Sequence, residues 1–116
     1  MKYFTNEGDF KGNIDKMDPK LLTMLDELRE EYGQAIVLTS SYRSPTHAVE
    51  IVKSKPGEHT YGAAVDIKCA GGENTFNLVS AAIKVGFRRI GISRKSNFVH
   101  VGIGYPNAPE TTIWTY

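Results

Sequence analysis

The chain has 116 residues, 41% of them apolar and 23% charged, with a formal net charge of +1. That length suits one modest hydrophobic core, and the balanced charge leaves no basic footprint for nucleic acid or an anionic membrane. A single cysteine, Cys69, excludes an internal disulfide.

Residues 1–17 carry Gly8, Gly12 and scattered charge, and read as an irregular arm with a short strand at 3–5. They contain no apolar run of the kind that forms a secretory leader or a membrane span. The expectation is one domain over 1–116: a monomer, made in the cytoplasm, with no nucleic-acid or membrane partner. Asp18-Pro19 opens a helix, with Asp as N-cap and Pro at the first helical position. Leu21, Leu22, Leu25, Leu28 and Tyr32 recur at helical spacing, Asp26, Glu27, Arg29, Glu30 and Glu31 form its solvated face, and Gly33 stops it. The β-branched run 35–39 reads as a short buried strand, which delivers Arg43 to a loop. Pro45 can start a second helix over 46–53, with Ala48, Val49 and Val52 inward.

From Ala64 the string Ala-Val-Asp-Ile-Lys-Cys69 alternates. Val65, Ile67 and Cys69 lie on one side, Asp66 and Lys68 on the other. Cys69 is thus a buried structural thiol. A third helix over 73–85 presents Phe76, Leu78, Val79, Ala82, Ile83 and Val85, and Gly86 closes it. Strands over 87–93 and 98–103, joined by the polar turn 94–97, form a hairpin. In the second strand Val99, Val101 and Ile103 face one way, and Phe98, His100 and Gly102 the other. The tail ends in Ile113-Trp114-Thr-Tyr116, too apolar to be loose, and Trp114 is expected to dock on the body. This order of elements predicts an α+β fold, with helices packed on one face of a mainly antiparallel sheet and the polar strand face open as a groove.

If the strands bearing Asp66 and His100 share a sheet, both side chains project from one face and His59 reaches them from its loop. Two imidazoles and a carboxylate make a three-ligand catalytic zinc site with a fourth position open for water. His-x6-Asp alone is a weak pattern. A turn-capping His59, an Asp66 paired with Lys68 or Arg43, and a half-exposed strand His100 account for it as well.

Three strings in order, Ser40-Ser-Tyr-Arg-Ser-Pro-Thr-His47, Glu58-His-Thr-Tyr-Gly-Ala-Ala-Val-Asp66 and Phe98-Val-His-Val101, resemble the zinc D-alanyl-D-alanine peptidase family, which shares its fold with the hedgehog signalling domain. The resemblance spans roughly residues 18–104, and His59, Gly62, Ala64 and Asp66 fall in register with its central motif. It implies that His59, Asp66 and His100 hold Zn2+ and that Arg43 faces the substrate or the tetrahedral intermediate. It further implies hydrolysis of an amide bond in peptidoglycan stem peptides, by a D-Ala-D-Ala carboxypeptidase or an endopeptidase. A phage-type protein acting on the cell wall is the matching biological setting. The family also implies an acidic residue three before or two after the last ligand. Those positions are Asn97 and Gly102 here, which leaves Glu58, Glu73 and His47 as substitutes. A non-catalytic zinc module that binds a partner or wall peptide is the alternative, and a metal-free structural protein is a third.

Overall fold

The computed structural model describes residues 1–47, 49 and 57–116. The predicted helix over 46–53 falls almost wholly outside them; Val49, expected on its buried side, is exposed.

The elements, in chain order, are α1 (Asn6–Phe10), a 3-10 turn (Ile14–Lys16), α2 (Pro19–Tyr32), β1 (Leu38–Ser40), a second 3-10 turn (Glu58–Tyr61), β2 (Ala64–Lys68), α3 (Gly72–Val85), β3 (Arg89–Ser93), β4 (Phe98–Gly102) and β5 (Thr112–Thr115). The strands form one sheet in the order β1-β2-β4-β3-β5. Every neighbouring pair is antiparallel except β3 and β5, which run parallel. The α+β class and the mainly antiparallel sheet are as the sequence predicts.

Local chemistry accounts for α2. Asp18 Oδ1 accepts from the Lys20 amide at 2.8 Å, Pro19 occupies the first turn, and Gly33 ends the helix at φ 75°. Leu21, Leu25 and Leu28 are fully buried, each stabilising the fold by roughly 1.5–3 kcal/mol through loss of water contact. They pack with Leu78, Ala81 and Ala82 of α3 against Val65, Ile67, Val99 and Val101, the inward rows of β2 and β4.

Three expectations need correction. The first 17 residues are not an irregular arm with a strand. Thr5 caps α1, its hydroxyl accepting from the Gly8 amide, and Phe4, Phe10 and Met17 join the core. The run 35–39 is not a buried strand. β1 is an edge strand shifted to Leu38–Ser40, with Ile36 buried and Val37 exposed. In α3, Phe76 and Ile83 lie on the solvent side. The helix is apolar round much of its circumference, so composition does not single out the stripe that packs.

One row of residues crosses the sheet: Ser40, Asp66, His100, Gly91 and Trp114 are successive cross-strand partners. Trp114 docks as predicted. A Cβ on Gly91 would meet Trp114 Cε2 and Nε1 at 2.6 Å, so the bare glycine lets the indole lie down over β3 and approach the His100 ring at 5.1 Å. Gly91→Ala is expected to lift the indole and destabilise the protein by about 1–3 kcal/mol, the usual cost of overpacking. Trp114 is the single tryptophan, so a red shift of its fluorescence at unchanged helix content reads the displacement directly.

Candidate metal centre

Strand pairing brings the predicted ligands together. Asp66 and His100 are directly opposed on β2 and β4. His59 arrives from the 3-10 turn between Gly57 and Gly62, whose αL conformation (φ 63°) reverses the chain toward β2. Asp66 Oδ1 lies 3.3 Å from His59 Nε2 and 3.1 Å from His100 Nδ1. One donor atom from each of the three residues lies within 4.8 Å of the others, and all three residues are buried. His100 is 5% exposed, which overturns the half-exposed strand histidine.

Both imidazoles are held from behind. His59 Nδ1 is 2.7 Å from the Ser41 carbonyl oxygen. That oxygen can only accept, so Nδ1 carries a proton and Nε2 is the nitrogen that faces inward to Asp66. His100 Nε2 is 2.6 Å from Glu58 Oε1 and donates to it, leaving Nδ1 to face Asp66. With the outer N–H groups tied to acceptors, the inward His59 Nε2 and His100 Nδ1, on giving up their protons to a metal, and an Asp66 oxygen would fit a zinc ion in both donor type and second-layer support. Arg43 Nη2 sits 3.3 Å from Asp66 Oδ2 and steadies the outer oxygen.

The electrostatics match. Burial alone would raise the Asp66 pKa, but hydrogen bonds from His100 and His59 outweigh it and hold the carboxyl well below its usual range. Burial would lower the His100 pKa, but hydrogen bonds to Asp66 and Glu58 raise it above the ordinary histidine value. Glu58 is likewise held below the normal carboxylate range, because its bond with His100 overcomes desolvation.

These donors form the floor of a groove of about 400 Å³, walled by Arg43, Phe98, Tyr105, Trp114 and Tyr116. Of the candidate acids, Glu73 is exposed in the first turn of α3, and His47 lines a separate hollow beside Tyr42. Asn97 is a turn residue at φ 56°. Glu58 and Asp66 are the carboxylates among the described residues of the groove.

Sequence reasoning did not find Arg89, although it sits at the heart of the site. Its side chain is 8% exposed, its Nε donates to Glu58 Oε2 at 2.9 Å, and its guanidinium lies between the Tyr105 and Trp114 rings at 5.3 and 5.4 Å. Arg88-Arg89 at the head of a strand looks like solvated charge. Only the strand's register turns the second arginine inward.

His59, Asp66 and His100 thus form a buried donor set on the floor of an open groove that could hold a metal ion. A family model described as Peptidase M15 matches residues 4–102, and the chain belongs to that family of zinc-dependent metallopeptidases. No curated protein matches the sequence.

Proposed function

We propose that this protein hydrolyses an amide bond in peptidoglycan stem peptides, as a D-Ala-D-Ala carboxypeptidase or an endopeptidase, with His59, Asp66 and His100 holding zinc. The observation that carries the reading is the convergence of two inward imidazole nitrogens and the Asp66 carboxylate, each fixed from behind, on the floor of a groove of about 400 Å³. Zinc at these donors supplies Lewis acidity for amide hydrolysis.

The chain's own residues supply the rest. Arg43, beside Asp66, brings positive charge to the rim of the donor set, where it stabilises negative charge developing on a carbonyl oxygen. Trp114 and Tyr116 offer flat apolar surface on which a short peptide excludes water. Ser41 and Glu58 keep the two imidazoles in the tautomers that ligation requires. The protein acts as a single chain on the cell wall after synthesis in the cytoplasm. The phage-type setting rests on the resemblance of the residue strings.

The test is digestion of purified peptidoglycan by zinc-loaded protein beside a chelated control, with mass spectrometry of the released fragments. Chelator-sensitive loss of a terminal D-Ala, or cleavage within the stem, is expected and names the bond. Absence of new fragments from protein holding one zinc per chain would overturn the hydrolase and leave a zinc module that binds wall peptide or a partner.

A further inference from the structure

We propose that Glu58 is a positioning residue for the metal centre, supplying from the 3-10 turn the carboxylate for which Gly102 leaves room on β4. The inference rests on the zinc reading above and deepens it.

Gly102 is two residues beyond His100 and so on the same face of β4. A Cβ built on Gly102 would collide with the Glu58 carboxylate, falling 2.5 Å from Oε1 and nearer still to Cδ and Oε2. The Glu58 head group therefore occupies the volume that a side chain at 102 would fill. It also makes the bonds that such a side chain could make. Oε1 takes the His100 Nε2 proton at 2.6 Å. Oε2 takes the Arg89 Nε proton at 2.9 Å and the Gly104 amide at 2.7 Å. Arg89 is the direct cross-strand partner of Gly102, so the cation that neutralises Glu58 faces position 102.

Both Glu58 oxygens are committed to these donors, in a side chain only 3% exposed. The carboxylate acts through His100, holding its ring so that Nδ1 faces Asp66. The acidic residue expected near the last ligand is thus present in space and displaced in sequence. Residues 58 and 102 are alternative, mutually exclusive sources of one carboxylate.

The experiment compares the wild type with Glu58→Gln, Glu58→Ala, Gly102→Asp and the double variant Glu58→Ala/Gly102→Asp. Zinc affinity is read by competition with a chromophoric chelator. The His100 Nε2–H proton is read by long-range 1H–15N NMR of the zinc-loaded protein, and thermal unfolding confirms that each variant is folded. Glu58→Ala is expected to weaken zinc binding by about 10–100-fold, the usual effect of losing an outer partner of a ligand, and to expose the Nε2–H proton to exchange. Gly102→Asp is expected to weaken binding in the wild-type background and to strengthen it when residue 58 is Ala, where the slowly exchanging Nε2–H returns. Glu58→Gln keeps the volume, so it reports on the carboxylate even if Glu58→Ala fails to fold. Zinc held at wild-type affinity by a folded Glu58→Gln, with the Nε2–H unchanged, would overturn the inference and leave the zinc reading intact. A wild type that holds no zinc would overturn both.

Discussion

Asp66→Asn is expected to leave a folded protein that no longer retains zinc. The substitution preserves shape and removes the charge on which both imidazoles converge. Asp66 Oδ1 faces His59 Nε2 and His100 Nδ1, and Oδ2 faces Arg43. An amide in that place has no full negative charge to offset a divalent cation. The loss in affinity is expected to exceed the ~10–100-fold of an outer-partner change. Metal analysis after dialysis measures it directly, and an Asp66→Asn protein that kept one zinc per chain would remove Asp66 from the ligand set.

The same residue sets the pH behaviour of the metal-free protein. A carboxyl with a lowered folded pKa contributes stability above its unfolded value, near ~3.9, and loses it as pH falls through the folded value. A histidine with a raised folded pKa contributes stability below its unfolded value, near ~6.5, and loses it as pH rises through the folded value. Chelated wild type is therefore expected to be most stable between roughly pH 4 and 6.5, with Asp66 ionised and His100 protonated. Zinc competes with the His100 proton, so its added stabilisation grows as pH rises. Thermal unfolding from pH 4 to 8 should show a maximum in the chelated wild type that Asp66→Asn flattens.

Gly62→Ala is expected to be the most damaging single-methyl change near the site. Gly62 adopts φ 63°, which costs an L-residue roughly 1–2 kcal/mol. An added Cβ would also collide with the Lys16 carbonyl oxygen and approach Met17 Cα at 2.8 Å. Both obstacles are backbone, pinned by the Asp18 amide donating to the Gly62 carbonyl at 2.9 Å. With overpacking added, the total is about 3 kcal/mol or more, or roughly 10–20 °C in Tm. Any relief displaces the turn that carries His59, so zinc affinity is expected to fall with stability. Gly33→Ala is the internal control. Gly33 has a similar φ of 75°, but nothing lies within 4 Å of its added Cβ, so only the conformational cost of roughly 1–2 kcal/mol applies. Equal effects of the two substitutions in a melting experiment would contradict the close approach at Gly62.

The parts of the fold that were legible in the sequence are those where a local signal coincides with a tertiary need. Asp18-Pro19 and Gly33 bracket α2 because caps act within a turn. Alternation in 64–69 and 98–103 places Asp66 and His100 on one face because a strand has period two. The first 17 residues were not legible in this way. Phe4, Phe10 and Met17 reach the core from a bent path of short turns, so their spacing has no period. Glu58 and Gly102 are 44 positions apart, and each looks like a deficiency until strand register places them in one volume. Arg89 was hidden for the same reason, since its partners come from a turn and a loop distant in sequence.

Two of the donors and the tryptophan of the groove wall sit at different depths in the sheet. Asp66 and His100 ride on β2 and β4, each flanked by strands on both sides, whereas Trp114 belongs to β5, an outer strand attached through β3 alone. Local opening in a sheet begins at its rim, where fewer hydrogen bonds must break. Amide exchange should accordingly be rapid along 112–115 and slow at 65–67 and 99–101. The groove can then loosen around a bulky or branched peptide while the spacing of Asp66 and His100 stays fixed, and substitutions in the outer strand can reshape what is admitted without shifting those two side chains.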